Sequence, residues 1–147
     1  MMTNPPELLK IINAEDSEQR SAQLRDFWGG VDLNDCGIAN NYATETLYAD
    51  GGHFSVEFNH VKTSKGYYLI GCDFSTNTSA YGYAPGVEQS FLIDNYQDAI
   101  DYVRTAAVKF MADYSECSSS CVTSGSKDKA RKAIEHLTVS QAQPALL

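Results

Sequence analysis

The chain has 147 residues, of which 43% are hydrophobic, and this is enough to bury one core without help from metal ions or disulfide bonds. Nineteen acidic residues against eleven basic residues give a formal net charge of −8, which repels phosphate backbones and argues against direct nucleic-acid binding. Such a charge favours a partner protein with a basic surface, unless it serves solubility alone.

The sequence contains no membrane or export signal that we recognise. No run of about eighteen apolar residues is present, and the start MMTNPPELLK lacks the cationic and apolar parts of a secretory signal. We therefore expect a soluble, cytoplasmic protein that does not contact membranes.

The cysteines give no indication of a metal site or another cofactor. In a reducing compartment, free thiols are expected at all four positions, Cys36, Cys72, Cys117 and Cys121. The last two are spaced as CxxxC, which differs from the CxxC knuckle of structural zinc sites. We predict no bound metal and no cofactor.

The N-terminal segment NPPELLKIINAEDSEQRSAQLRDFWGG predicts two helical stretches. Asn4 is a candidate cap, a break is expected near Ala14, and Asp16 or Ser17 restarts the helix. The glycine pair after Trp28 predicts a left-handed end.

The next segment, NDCGIANNYATETLYADGG, fits two structures. Its apolar residues form a helical stripe after a cap at Asn34 or Asp35, whereas TETLY alone is typical of a strand. We favour the helix over residues 36–49.

Two strands are then predicted from different patterns. GHFSVEFNHV alternates apolar and polar residues, which indicates a half-buried strand, and YYLIGCDF is apolar on both faces, which indicates a central strand. VEQSFLID predicts a third strand. Between the last two lies STNTSAYGYAPG, Ser75–Gly86, which has no core pattern and is expected to be a loop.

The C-terminal third predicts a long helix and a separate short one. NYQDAIDYVRTAAVKFMADY follows a cap at Asp94 or Asn95, and its apolar residues recur at helical spacing over about five turns. The fold class is thus α+β, with an antiparallel three- to four-stranded meander covered by a long helix, N-terminal helices and an outlying C-terminal helix. We expect a single domain over 1–114, a Ser-rich linker over 115–126, and a helix with a tail over 127–147.

The tyrosine-bearing loop is the first candidate site. Connections longer than about twelve residues without secondary structure are usually functional or disordered. Tyr81 and Tyr83 offer contact area at low rotameric cost, so the loop is predicted to bind a partner protein or a nucleotide-like ligand. The alternative is that both rings cover an open sheet edge. A carboxylate-rich face that imitates phosphates is predicted at Glu57, Asp73 and Glu88.

Cys36 is the second candidate. DCGIA and the later HFSVEFNHV with CD resemble papain-like cysteine peptidases that process bacteriocins. The resemblance implies Cys36 as nucleophile, His53 as general base and Asp73 as its orienter. A helix over 36–49 would be roughly 20 Å long and would keep His53 far from the thiol, which leaves His60 as the histidine able to approach. The alternative is an ordinary cysteine, and we predict no catalytic residue.

The tail resembles the peptide motif that docks in the pocket of bacterial sliding clamps. Gln143 would supply amide hydrogen bonds, and Leu146 and Leu147 would fill an apolar pocket. The alternative is a terminus without function.

One further resemblance covers about fifty residues. GYYLIGCDF, SFLID and NYQDAIDYV resemble small accessory domains encoded by phages and plasmids, some of which act against host defence systems. We therefore predict a non-enzymatic acidic binding protein of a mobile element that occludes a basic surface of a defence or DNA-processing protein. A small-molecule sponge and a cysteine hydrolase are the alternatives, and self-association into a homo-oligomer stays open.

Overall fold

The structure is a computed structural model, and it describes residues 2–142. The helices are α1 (Pro6–Ile12), α2 (Ser17–Phe27), α3 (Tyr96–Ser115) and α4 (Ser124–Ala142). The strands are β1 (Met2–Thr3), β2 (Ala43–Ala49), β3 (Ser55–Lys62), β4 (Tyr68–Ser75), β5 (Ala80–Tyr83) and β6 (Leu92–Ile93). The predicted α+β class is confirmed, because β2, β3, β4 and β5 form an antiparallel meander on which α3 packs.

The chain divides into two compact units, each built from three segments. The first comprises Met1–Thr44, Asn59–Gly71 and Ala84–Ala99. The second comprises Glu45–Phe58, Cys72–Tyr83 and Ile100–Leu147. Strands β3 and β4 contribute residues to both. Within residues 2–142, no helix is both long enough and apolar enough to cross a bilayer.

The first unit contains the two N-terminal helices, and the predicted break between them is confirmed. The side chain of Asp16 accepts a hydrogen bond from the backbone N–H of Gln19 at 2.9 Å, which caps α2. The predicted cap at Asn4 is wrong. Pro5 occupies that position without a side-chain hydrogen bond, because a proline in the first turn is already preorganised for the helix.

The core of the first unit forms where these helices meet the strands. Leu8, Leu24 and Trp28 are fully buried together with Leu69 and Val87. The indole N–H of Trp28 donates to the carbonyl of Val87 at 3.0 Å, so the ring is both packed and hydrogen-bonded.

The helix favoured over residues 36–49 is wrong, because β2 occupies its second half. The side chain of Asn34 accepts hydrogen bonds from the backbone N–H groups of Cys36 and Ile38, at 2.9 and 3.0 Å. This turn competes with helix formation. Gly37 then adopts φ +79°, a left-handed conformation that interrupts any helix.

The two central strands are confirmed, and the third is largely wrong. Phe54, Val56 and Phe58 are buried along β3, and β4 is buried over most of its length. Of the third predicted strand only β6 forms, and it pairs with β1 outside the meander. The reason is Gln89, whose side chain takes up the backbone hydrogen bonds of β4 that a full strand would have used.

Helix α3 and a separate C-terminal helix are both confirmed. The side chain of Asn95 accepts from the N–H of Asp98 at 3.1 Å at the start of α3. Helix α4 begins at Ser124 and fully buries Ala130, Ala133 and Leu137. These three apolar residues recur at helical spacing between lysines and arginines, and that narrow stripe is enough to pack one face.

Candidate functional site

The predicted loop over residues 75–86 is a β-hairpin for most of its length, so the loop assignment is wrong. Strand β5 pairs with β4 in the register Cys72↔Tyr83, Asp73↔Gly82, Phe74↔Tyr81 and Ser75↔Ala80. The remaining turn is held by Thr76, whose N–H donates to the carbonyl of Ser79 at 2.8 Å. The Thr76 hydroxyl accepts from the N–H of Ser79 at 2.9 Å.

The hairpin places the two tyrosines on the sheet face that α3 covers. Directly opposed residues of an antiparallel pair share a face, so Tyr81 lies with Phe74. The ring of Phe74 contacts that of Phe110 in α3, with 5.6 Å between centroids. Tyr81 contacts Phe74 at 6.1 Å and Tyr83 at 6.0 Å. We call these four residues, Phe110, Phe74, Tyr81 and Tyr83, the aromatic row.

The outer end of the aromatic row is exposed. Phe74 is 2% exposed, whereas Tyr81 is 55% and Tyr83 is 41% exposed. The two tyrosine rings therefore lie on the face of the sheet that α3 covers and still present a large part of their surface to solvent.

The opposite face of the hairpin is shaped by Gly82. A Cβ atom at this position would lie 2.7 Å from the carbonyl oxygen of Cys72 and would meet the side chain of Asp73. Only glycine fits there without movement of β4. The carboxylate of Asp73 therefore lies directly against the backbone of β5.

The predicted acidic residues are distributed over different parts of the fold. Phe54 and Phe74 face α3, as their ring contacts with Tyr114 and Phe110 show. By alternation along β3 and β4, Glu57 and Asp73 lie on the other face of the sheet. Glu88 is exposed and belongs to the first unit. Tyr81 and Tyr83 thus lie on one face of the sheet, and Glu57 and Asp73 lie on the other.

Burial disfavours ionisation of three side chains in and beside the aromatic row. It raises the pKa of Cys72 to about 11, and the nearby carboxylate of Asp73 adds to the effect. Burial also raises the pKa of Tyr83 and, in α3, that of Tyr102. At neutral pH the side chains of Cys72, Tyr83 and Tyr102 are therefore uncharged.

The turn of the hairpin is anchored to both C-terminal helices. The hydroxyl of Tyr114 donates to the side-chain carbonyl of Asn77, and the amide of Asn77 donates to the hydroxyl of Ser126 at 3.1 Å. A cleft of about 490 Å³ opens beside this turn, and Cys117 and Cys121 are among its lining residues. These hydrogen bonds tie the turn of the hairpin to α3 and α4.

The arrangement implied by the peptidase resemblance lacks its helix. Cys36 lies in a turn and is exposed, so no helix dipole acts on its thiol. The ring of His60 contacts those of Tyr68 and Tyr96, with centroids 6.2 and 5.6 Å away. The backbone carbonyl of His53 accepts a hydrogen bond from the Ser75 hydroxyl at 2.9 Å.

Two further predictions concern metal binding and the tail. In the part of the chain that the structure describes, no cluster of three or more histidine, cysteine or carboxylate side chains could hold a metal ion. The docking motif predicted at Gln143, Leu146 and Leu147 lies outside the described residues.

Known proteins add no further constraint on this site. No family model matches the sequence, and neither the curated proteins nor the solved structures contain a match to the chain.

Proposed function

We propose that the chain is a non-enzymatic binding protein that engages a partner protein with a basic surface through Tyr81 and Tyr83. The observation that supports this proposal is the exposure of both rings, 55% and 41%, on a strand whose inner neighbours are packed. Tyrosine is enriched among the residues that dominate binding energy at protein interfaces.

The anchoring of the rings makes them suitable for binding. Tyr81 rests on Phe74, which rests on Phe110, and the turn that precedes Tyr81 is hydrogen-bonded to α3 and α4. Ordering a mobile loop on binding would cost conformational entropy for each residue. A hairpin that is already ordered avoids most of that cost.

The charge of the second unit supports a basic partner. The two cations of α3 each pair with a carboxylate of the same helix, Arg104 with Asp101 at 3.5 Å and Lys109 with Asp113 at 2.8 Å. The other four cations of this unit lie on α4, and acidic residues are in excess in both units. An acidic chain steers a basic surface toward itself during diffusion.

Binding would act by occlusion, since a protein seated on a basic surface prevents nucleic acid from reaching it. The resemblance to accessory domains of phages and plasmids supports a defence or DNA-processing protein as the partner. Neither step requires bond chemistry from this chain.

The test compares matched tyrosine variants against a partner recovered by affinity capture from the native host. We expect Tyr81→Ala with Tyr83→Ala to weaken binding about a thousandfold, since two hot-spot residues at about 2 kcal/mol each contribute about 4 kcal/mol. Tyr42→Ala is the control, because that ring is 40% exposed and belongs to the first unit. It should leave the affinity unchanged.

A salt series measures the electrostatic contribution separately. The affinity of the wild-type chain should fall as ionic strength rises, because exposed charges are screened beyond about 8–10 Å at physiological salt. Unchanged affinity in the double tyrosine variant would refute the site, and affinity that is indifferent to salt would refute the basic partner.

A further inference from the structure

The outer side of β5 carries backbone groups that no strand of the meander uses. Thr76 and Ser79 form a hydrogen-bonded pair at the turn. In an antiparallel ladder such pairs alternate with pairs that are not hydrogen-bonded, so Tyr81 and Tyr83 direct their N–H and C=O groups toward β4. Ala80 and Gly82 consequently direct theirs away from β4.

The same edge of β4 is closed further along the strand. The carboxamide of Gln89 accepts from the N–H of Ile70 at 3.0 Å and donates to the carbonyl of Tyr68 at 2.9 Å. A side chain there replaces the peptide group of a neighbouring strand. Edges are normally protected in such ways, by a covering segment, a charge, a proline or a bulge.

Among residues 2–142, none of these protections is present on strand β5. All four of its residues, Ala80–Tyr83, are exposed, and they include neither a charged residue nor a proline. Strand β5 is short, and the two residues whose backbone groups point away from β4 have small side chains: Gly82 has none and Ala80 has a single methyl group. An extended chain can therefore approach the backbone closely.

We propose that an extended, lysine- or arginine-bearing segment of the partner adds to β5 as a fifth strand and hydrogen-bonds to Ala80 and Gly82. The proposal rests on the proposed function and specifies how the same site is used. Strand addition of this kind takes affinity from main-chain hydrogen bonds and specificity from alternate side chains.

The two faces of β5 determine what the added strand must carry. On one face its side chains would lie beside Tyr81 and Tyr83, which suits apolar or aromatic groups. On the other face they would lie near the exposed carboxylate of Asp73, which suits lysine or arginine. Alternation of basic and apolar residues therefore matches both faces at once.

A second copy of this chain is a poorer occupant. Each copy carries a net charge of −8, so two copies repel each other. A pair of four-residue strands buries far less than the roughly 800 Å² per partner that a stable interface needs. A basic segment that belongs to a larger partner is free of both limits.

The direct test uses NMR and a short blocked peptide that alternates lysine with valine. On titration with this probe we expect the amide protons of Ala80 and Gly82 to shift downfield and to exchange with solvent about tenfold more slowly, as newly formed hydrogen bonds require. A peptide with glutamate in place of lysine should not produce these changes. Absence of binding by the lysine peptide at about 1 mM would overturn the proposal.

A backbone variant tests the same hydrogen bonds in the protein. Ala80→Pro removes one outward N–H at the first residue of an edge strand, where proline is tolerated. We expect it to weaken binding of the lysine peptide about tenfold, whereas Ala80→Ser, which keeps both the N–H and a small side chain, should bind as wild type does. A lysine–valine peptide that is N-methylated at alternate residues should lose affinity for the unmodified chain, and this arm does not depend on folding of the variant.

The outcomes separate the two proposals. If the ring signals of Tyr81 and Tyr83 respond while the amides of Ala80 and Gly82 do not, strand addition is wrong and tyrosine docking stands. If the double tyrosine variant binds its captured partner with full affinity, the proposed function itself is wrong.

Discussion

The two halves of strand β4 have different hydrogen-bond partners along the edge that faces away from β3. Near its start, Tyr68 and Ile70 give their backbone groups to the side chain of Gln89. Near the end of β4, the same edge pairs with β5, whose residues are all exposed. This difference between a half that a glutamine side chain closes and a half that ends in two exposed tyrosines is the reason why we propose contact with a partner at the second half.

The first prediction concerns the half of β4 that contains Tyr68 and Ile70, and it removes the side chain of Gln89 that bonds to them. Gln89→Ala leaves the N–H of Ile70 and the carbonyl groups of Tyr68 and Phe91 without their partner, and it should cost about 1–3 kcal/mol in the free energy of unfolding. Urea denaturation measures the loss. Gln23→Ala is the control, since that side chain is exposed on α2 and should change stability by less than about 0.5 kcal/mol.

Hydrogen exchange gives the same prediction a local readout. In Gln89→Ala the amide of Ile70 should exchange faster, because its acceptor is gone, while the amide of Phe74, which faces β5, should not change. Equal stability of the two glutamine variants, with an unaltered rate at Ile70, would contradict the role assigned to Gln89.

The central strands could be predicted from the sequence because both of their faces are constrained. Phe54, Val56 and Phe58 must be buried on one side of β3, and this requirement produces an alternation of apolar and polar residues in the sequence. Helix α3 could be predicted for a similar reason: one of its faces covers the sheet, so apolar residues recur at helical spacing along its length. The class of fold follows from these elements.

The edge strands could not be predicted in the same way. Strand β5 has four exposed residues, so burial imposes no pattern on it, and only its pairing with β4 defines it. In β2, apolar residues fell at helical spacing, and the turn around Asn34 and Gly37 overrode that signal. Tyr81 and Tyr83 could be singled out as candidate residues because they are aromatic residues in a stretch without a core pattern. Gln89 offered no signal in the sequence, because its hydrogen bonds go to backbone groups nineteen and twenty-one residues away.

A smaller effect on stability is expected from the thiol of Cys72, in the half of β4 that pairs with β5. Burial raises the pKa of Cys72 from 9.0 to about 11, so between these values the folded chain binds a proton that the unfolded chain has lost. The stabilisation is complete below pH 9 and falls as pH rises through 11. We expect urea midpoints under reducing conditions to decline over this range, and to decline less in Cys72→Ala.

Part of this alkaline decline should remain in the variant. The pKa values of Tyr83 and Tyr102 are also raised by burial, and they act in the same direction. Parallel pH profiles of the wild-type chain and Cys72→Ala would show that the thiol is not shielded as the structure indicates.

The most direct measurement is hydroxyl-radical footprinting of the free chain and of its complex with the captured partner. The free chain should be oxidised readily at Tyr42, Tyr81 and Tyr83, which have similar exposure. In the complex we predict protection of Tyr81 and Tyr83 with Tyr42 unchanged. Continued oxidation of both hairpin tyrosines in a saturated complex would contradict the account, because the partner would then bind elsewhere.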